Sequence, residues 1–370
     1  MREILHVLQC ANLGGMEHCT LEWMGALQKE GYQSRLVSLH PIGGLGPLLA
    51  EHGFGAKGLR YKGPAGLFSI PDMSRAFRLP SRPDGVVMSG HNLSAFGALA
   101  GTSCKKRVLV IHHHHMDVRT PFEWKIIYAA AMRIFPKIAF CTDFIREEAE
   151  HLFPPLQRVS VTLRNPITLP ALPTQEDKDR ARRSLGIPLE RMVVGNAGWL
   201  ISRKRWDIFL RTAARIVQKN DNVSFLACGD GPLQTELKNL VSTLGLDERI
   251  HWLGWQHHLA PFYLSLDVLL FNSDWDALGR TPLEAGSYGV PTVASVLHGG
   301  LREVIDSDEI GFLSDRHDEE WLADKTLRLL EDQHLRLRIG ATCRQVLSQT
   351  HDPKTNTAEL LHLLGLTTIQ

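Results

Sequence analysis

The stretch Asp274–Ala285 (DWDALGRTPLEA) carries the residue types with the clearest potential for chemistry in this sequence. Thr281, Pro282 and Glu284 predict a helix start, because a capping hydroxyl is followed by proline at the first helical position and by glutamate three residues after the cap. With Gly279 before it, such a start would offer backbone N–H groups to an anion, which the helix dipole favours. A capping box that binds no ligand would use the same residues, so both interpretations stay open.

The same stretch contains a DxD triplet, formed by Asp274 and Asp276. Two such carboxylates would hold a divalent cation on a nucleotide diphosphate. The pattern also occurs at residues 177–179 and 306–308, where nothing else suggests a metal. The triplet therefore leaves metal binding as an alternative and favours a site without metal.

Two further segments have the composition of phosphate-binding loops. Gly14 and Gly15 open a predicted helix directly after the first apolar run, and paired glycines would let a diphosphate approach the backbone closely. Arg203, Lys204 and Arg205 follow a predicted strand, and three adjacent cations would neutralise a diphosphate leaving group without a metal. A plain tight turn and a solvated loop are the respective alternatives.

Four consecutive histidines, residues 112–115, follow the predicted strand Arg107–Ile111. No cysteine or carboxylate cluster accompanies them in the sequence, so a metal site is the less favoured interpretation. The favoured one is that one of these histidines is a polar contact facing a cleft between domains and that the others lie at the surface.

Short apolar runs alternate with helical segments along the 370 residues. This alternation predicts the α/β class, with two doubly wound Rossmann-like domains that face each other across a cleft. The proline-rich residues 166–173 and the charged residues 175–183 indicate a linker. The predicted domains are therefore residues 1–168 and 169–352, with a helix at about 353–370 packing back on the first domain.

Composition restricts the partners and the compartment. The chain has a net charge of +1, which gives no reason to expect nucleic acid as a partner. Residues 1–168 carry 19 Lys and Arg against 13 Asp and Glu, which fits either an anionic partner for the first half or compositional scatter. No apolar run reaches the ~20 residues of a membrane span. Six scattered cysteines and an N-terminus without signal-peptide features predict a cytoplasmic protein.

Taken in order, these segments resemble the family-4 retaining glycosyltransferases of GT-B fold. The resemblance covers nearly the whole chain and is clearest from Met192 to Phe312. The matching features, in chain order, are Gly14, Gly15 and Glu17; the segment GWLISRKRWD at 198–207; Gly229, Gly231 and Pro232; Asp276, Glu284 and Ala285; Gly-Val-Pro-Thr-Val-Ala at 289–294; and Gly299, Gly300 and Glu303.

The resemblance implies a role for each matching residue. Lys204, with Arg203, would neutralise the diphosphate of a nucleotide-sugar donor, Asp276 would contact the transferred sugar, and His112 would lie near that sugar. The remaining residues would bind the donor: Gly14, Gly15, Gly279, Arg280 and Thr281 around the phosphates, Glu284 on the ribose hydroxyls, Gly231 from the turn that contains Gly229 and Pro232, and Trp255 near the base. No cofactor and no metal are implied.

This sequence departs from the family pattern at two positions. Trp199 stands where the family has an arginine, so one phosphate cation is missing, and Arg203, Arg205 or Arg280 is expected to replace it. Asp276 stands where the family has the first glutamate of its signature. Two alternatives stay open: a nucleotide-sugar 2-epimerase of GT-B fold, and a degenerate transferase that binds nucleotide sugars without catalysis.

The resemblance also implies a saccharide or lipid-linked acceptor and a role in cell-surface polysaccharide or glycolipid synthesis. The acceptor would bind the basic first domain. A cluster of cations there suits anionic headgroups and a peripheral position at the inner face of the membrane, and a solvated loop fits the same residues equally well. The cluster comprises Arg60, Lys62, Arg75, Arg78 and Arg82, around Leu67 and Phe68.

Overall fold

The structure, a computed structural model, describes residues 2–61, 70–78, 81–112 and 119–367. The chain divides into two units. The first consists of residues 1–166 together with residues 351–370, and the second of residues 167–350. The sequence analysis places these boundaries at 168 and 352.

The first unit is built around a parallel sheet. Its elements are β1 (Glu3–Leu8), α1 (Gly15–Lys29), β2 (Gln33–Ser38), α2 (Gly46–Glu51), β3 (Gly55–Gly58), α3 (Ile70–Arg78), β4 (Gly85–Ser89), α4 (Leu93–Ala100), β5 (Arg107–Ile111), α5 (Pro121–Ile134), β6 (Lys137–Phe140), α6 (Asp143–Leu152), β7 (Ser160–Thr162) and the C-terminal α14 (Pro353–Leu363). Among the described residues the sheet has seven strands in the order β3-β2-β1-β4-β5-β6-β7. Its central strands β4 and β5 are buried along their whole length, as their continuous apolar runs predict.

The C-terminal helix α14 packs inside the first unit. Its Leu360 and Leu361 share one buried apolar cluster with Cys19, Trp23 and Leu27 of α1. Leu364, which belongs to the same cluster, lies one helical turn beyond both, so these three leucines share one face of the helix. The last helix of the chain is therefore part of the core of the first unit.

A buried histidine makes the stability of the first unit sensitive to acid. His6 lies in β1 and is 1% exposed, and burial lowers its pKa to about 3. The unfolded chain takes up the proton near pH 6.5, so the free energy of unfolding should fall below that pH by roughly 2 kcal/mol between pH 7 and pH 5. Urea denaturation of His6→Gln should show a smaller loss. The same change at the exposed His52 should keep the wild-type loss, and an unchanged loss in His6→Gln would contradict the assignment.

The second unit, all of whose residues are described, is also an α/β unit. Its elements are α7 (Gln175–Ser184), β8 (Met192–Ala197), α8 (Trp206–Lys219), β9 (Val223–Cys228), α9 (Gln234–Thr243), β10 (Ile250–Gly254), α10 (Ala260–Ser265), β11 (Val268–Asp276), α11 (Arg280–Ser287), β12 (Thr292–Gly299), β13 (Phe312–Ser314), α12 (Glu319–Glu331) and α13 (Gln333–Thr350). Its six parallel strands have the order β10-β9-β8-β11-β12-β13. The predicted α/β class with two Rossmann-like domains is confirmed.

The charged residues predicted as a linker form a helix instead. Helix α7 begins with a capping box in which Thr174 and Asp177 bond each other's backbone N–H groups. From this helix the Arg182 guanidinium donates to the carboxylate of Asp267 at 2.7 Å, and both side chains are less than 10% exposed. Asp267 also accepts from the backbone N–H of Val193 at 2.8 Å. The prediction was wrong because this helix is anchored by a buried ion pair, which hydrophobic periodicity does not reveal.

In the described part of the chain, no helix combines the length and the apolar character needed to cross a bilayer.

Candidate functional site

The candidate site lies where the order of strands in the second sheet reverses. Strand β8 is the first in sequence, β9 pairs with it on one side, and β11 pairs with it on the other. In doubly wound sheets, ligands bind outside the carboxyl ends of the strands at such a point. The chain segments that follow β8 and β11 are therefore the ones to examine.

Strand β11 is longer than the sequence predicts. The apolar run Val268–Phe271 predicts a short strand that ends at Phe271, but the observed one continues through the DxD triplet to Asp276. Asp274 and Asp276 are two residues apart on an extended strand and so point to the same side. Their carboxylates consequently stand at the end of the sheet where the strand order reverses.

Asp276 joins the chain after β8 to the turn after β11. One of its carboxylate oxygens accepts a short hydrogen bond from the Lys204 ammonium. The other accepts from the backbone N–H of Gly279 at 3.2 Å. Lys204 ends a 3-10 turn that follows β8, and its ammonium also lies 5.0 Å from the ring centre of Phe271. Three predicted site residues, Lys204, Asp276 and Gly279, thus meet at one carboxylate.

The two arginines beside Lys204 have different partners. Arg203 donates to the backbone carbonyl of Trp275 at 3.2 Å and lies over the Trp275 ring. Arg205 donates to the carboxylates of Asp207 and Asp274, which raises the pKa of its guanidinium. In the described part of the chain, Arg203 therefore has a carbonyl and a ring as partners, whereas the charge of Arg205 is balanced by carboxylates.

Asp274 also belongs to a polar chain that the sequence did not reveal. It accepts from His317 at 3.0 Å, and the other ring nitrogen of His317 lies 2.7 Å from the Ser295 hydroxyl. Ser295 in turn donates to the buried Asn272 at 2.8 Å. These residues come from β11, β12 and the loop after β13, so only the folded sheet brings them together.

Helix α11 does not begin with the predicted capping box. Its N-cap is Gly279, which has a φ of +80°, and the helix starts at Arg280. The Thr281 hydroxyl donates to the carbonyl of Ala197 at the end of β8, at 3.1 Å, instead of capping the helix. The capping prediction was wrong because glycine takes up the left-handed turn before the helix, which leaves Thr281 inside the first turn.

Glu284 lies on α11 with both carboxylate oxygens bonded. One accepts from Arg280 and the other from the Tyr263 hydroxyl, each at 2.5 Å. Tyr263 is 1% exposed, and burial beside this carboxylate raises the pKa of its phenol. No pattern in the sequence marks Tyr263, since its short helix α10 was not predicted.

The other donor-side residues of the second unit lie at neighbouring strand ends. Gly231 follows β9 with a φ of +159°, and a Cβ on it would come within 2.6 Å of the Leu200 carbonyl oxygen. This close approach requires glycine whether or not a ligand binds. Trp255 follows β10, and its ring centre lies 4.5 Å from that of Trp199.

Three predicted site residues belong to the first unit. Gly14 is the N-cap of α1 and Gly15 is its first residue, as predicted for the glycine pair. Beside them lies Glu17, which is 6% exposed and accepts from the Cys10 thiol at 3.2 Å. Burial raises the pKa of the Glu17 carboxyl, so the first turn of α1 holds an acid with a weakened tendency to ionise.

His112, the third of these residues, directly follows β5. It is 8% exposed, and its carbonyl accepts from the Cys141 thiol at 3.3 Å. The following residues, 113–118, lie outside the described part of the chain and include the other three histidines. Within the described ranges, no group of three or more His, Cys, Asp or Glu side chains is placed to hold a metal ion.

Comparisons with known proteins agree on the class of the second unit. Residues 177–346 match the family model described as glycosyl transferases group 1. The match lies inside the second unit and takes up somewhat less than half of the chain. It contains the sheet end with Lys204, Asp276 and Gly279. The candidate site therefore lies in the part of the chain that resembles glycosyl transferases group 1.

Individual relatives match the same half of the chain. The D-inositol 3-phosphate glycosyltransferase of Corynebacterium efficiens is 33% identical over 170 residues, covering 44% of this chain and 40% of that protein. The lipopolysaccharide core biosynthesis glycosyltransferase LpsD of Rhizobium meliloti is 30% identical over 183 residues, covering 50% of this chain and 52% of that protein. The matched region spans about half the length of these relatives, or less.

Solved structures match nearly the whole chain. Anabaena Alr3699/HepE in complex with UDP and glucose aligns with a TM-score of 0.84 at 19% identity, covering 99% of this chain and all of that one. A glycosyltransferase from Rickettsia africae aligns with a TM-score of 0.82 at 17% identity, covering 98% and 97%. At these identities the likeness shows the fold, which is the GT-B fold predicted from the sequence.

Proposed function

We propose that this protein is a retaining glycosyltransferase that moves a sugar from a nucleotide-diphosphate sugar to a hydroxyl acceptor. The observation that carries the proposal is the meeting of Lys204 and Gly279 on Asp276 at the reversal of strand order. This is the position at which doubly wound sheets bind nucleotides. The structural neighbour Alr3699/HepE was solved in complex with UDP and glucose and with UDP-glucose, which supports a nucleotide-sugar donor.

When the diphosphate of the donor leaves, its negative charge would be balanced by cationic side chains and backbone N–H groups of this chain. Lys204 would contribute its ammonium, and the first N–H groups of α11, from Arg280 and Thr281, would point at the phosphates. Arg203, bound to a carbonyl and a ring, is the neighbouring guanidinium most available to replace the cation missing at Trp199. Asp276 would contact the transferred sugar while holding Lys204 in place.

The first unit would supply the acceptor side. We propose that Gly14 and Gly15 admit the donor phosphates and that His112 contacts the transferred sugar, as the family resemblance implies. The acceptor would be a saccharide or a lipid-linked saccharide. Relatives named for lipopolysaccharide core biosynthesis support a role in cell-surface polysaccharide or glycolipid synthesis.

Membrane association is part of the same proposal, for a cytoplasmic enzyme at the inner face. Arg60, Arg75, Arg78 and Arg82 are exposed on the first unit, whereas Lys62, Leu67 and Phe68 lie outside the described residues. Exposed cations of this kind attract anionic lipid surfaces, and the attraction decreases with salt. Pelleting with vesicles that contain anionic lipid at low salt tests the proposal, and absence from the pellet would contradict it.

A donor screen is the direct test of the activity. Thermal unfolding with UDP, GDP, ADP and their sugars should show stabilisation by one nucleotide class. Transfer from that donor to a hydroxyl acceptor, with NMR of the anomeric proton, should show a retained configuration. Activity should persist in chelator, because the proposal includes no metal or other cofactor, and its loss would favour the DxD alternative. Formation of an epimer without an acceptor would favour the epimerase, and tight binding without turnover would favour a binding protein.

The Tyr263 hydroxyl should determine how well Glu284 selects ribose. In Tyr263→Phe, Glu284 loses the donor that fixes one carboxylate oxygen, so its contact with the ribose hydroxyls should weaken. We expect wild type to bind the ribonucleoside diphosphate at least 10-fold more tightly than its 2′-deoxy form, and the variant to lose most of this preference. Titration calorimetry measures both dissociation constants. An unchanged preference in a folded variant would contradict this role.

A further inference from the structure

Two tryptophan rings meet at the carboxyl edge of the second sheet. Trp199 follows β8 and is 45% exposed, although it is a large apolar side chain. Its ring centre is 4.5 Å from that of Trp255, which follows β10, and the ring planes are inclined by 41°. Two indoles from different strand ends therefore form one partly open aromatic surface.

The backbone around Trp199 is firmly held on both sides. The N–H of Gly198 donates to the backbone carbonyl of Cys228, and the N–H of Leu200 donates to the backbone carbonyl of Asp230, both at 2.9 Å. The carbonyl of Trp199 accepts from the indole of the buried Trp206 at 3.0 Å. The exposed indole thus projects from a fixed position, which lowers the entropy lost when a ligand is bound.

The strand order gives the distance from this surface to the proposed phosphate site. The indoles follow β8 and β10, with β9 between them, whereas Lys204 and Asp276 lie where β8 meets β11. Neighbouring strands are ~4.8 Å apart, so the centre of the indole pair lies one and a half spacings, or about 7 Å, along the edge from the phosphate site. A ribose joins base and diphosphate across a gap of this order.

We infer that Trp199, backed by Trp255, is a stacking surface for the nucleobase of the donor. The inference rests on the proposed function and deepens it. Every nucleobase has a flat π face, and stacking on an aromatic side chain strengthens binding by about 10- to 100-fold per base. Trp199 stands where the family resemblance expects an arginine. The indole therefore contributes affinity for the base, whereas the arginine would contribute a positive charge that binds the phosphate.

Two substitutions separate base binding from phosphate binding. Trp199→Ala should weaken binding of the stabilising nucleoside diphosphate by about 10- to 100-fold and leave inorganic pyrophosphate binding unchanged. Trp199→Phe should recover most of the affinity, because it restores an aromatic face. Trp199→Arg should strengthen pyrophosphate binding. The ratio of its nucleotide affinity to its pyrophosphate affinity should nevertheless stay below that of wild type. Titration calorimetry with the nucleotide and with pyrophosphate measures both.

The control is Leu337→Ala, which removes another exposed apolar side chain of the same unit and should change neither constant. Unchanged nucleotide binding in Trp199→Ala would overturn the inference and leave the proposed function standing. Equal weakening of pyrophosphate would also overturn it, since the indole would then shape the phosphate site. A rise confined to the KM of the acceptor would identify an acceptor surface instead. If wild type binds no nucleotide, the proposed function itself fails.

Discussion

Replacing Lys204 by alanine should reduce the rate of sugar transfer by about 10²–10³-fold. The ammonium would balance the charge that develops on the departing diphosphate, and loss of one such contact has an effect of this size. The substitution also leaves the Asp276 carboxylate with Gly279 N–H and without its cation. That carboxylate would then repel the phosphates. The measurement is kcat and kcat/KM with the donor found in the screen.

Lys219→Ala is the matched control for this prediction. Lys219 is an exposed lysine at the far end of α8, the helix that begins two residues after Lys204, so both variants lose one positive charge from the same part of the chain. It should keep the wild-type rate. Lys204→Arg should recover only part of the rate, because a planar guanidinium does not fit the position of a compact ammonium. Wild-type turnover in Lys204→Ala would refute the assignment of the leaving-group site.

The strands of both sheets were largely predictable because their residues are apolar and buried. Arg107–Ile111 has the predicted bounds, since burial on both faces produces a continuous apolar run. The end of β11 was not predicted, because the apolar run stops at Phe271. Asn272 and Ser273 continue the strand as buried polar residues, and residues 274–276 are only partly buried at the sheet edge. Prediction thus failed at the segment where the candidate site begins.

Within the candidate site, the residues that carry a local pattern were predictable and their partners were not. Lys204, Asp276 and Glu284 were selected by motif, and the structure brings the first two together across 72 residues of chain. Tyr263 and His317 carry no such pattern. Each is placed by a short helix or a loop, and it acts through a hydrogen bond to a residue more than 20 positions away. Such contacts depend on tertiary packing, which no local spacing encodes.

The largest effect on stability should come from the buried pair of Arg182 and Asp267. Asp267→Asn keeps the size of the side chain and removes its charge, so Arg182 would remain buried without a counter-ion. Removing one partner of a buried pair costs about 3–5 kcal/mol, which corresponds to roughly 6–20 °C in Tm for a unit of this size. Circular dichroism during heating measures the shift, and the exposed Asp221→Asn should leave Tm within a degree or two of wild type.

Lys178, a second cation beside this pair, provides a test that distinguishes uncompensated charge from loss of packing. The pKa of Lys178 is lowered, first by burial and further by Arg182, while Asp267 acts against this shift. In Asp267→Asn that opposing charge is gone, so the pKa of Lys178 should fall further below its unfolded value of 10.5. Between the folded and unfolded pKa values of Lys178, the unfolded chain binds one proton more than the folded chain, so the free energy of unfolding rises with pH. This pH range is wider in the variant. The deficit of the variant relative to wild type should therefore shrink as the pH is raised from 7 towards 10. A deficit that is constant over this range would show that the loss comes from the missing hydrogen bonds and not from uncompensated charge.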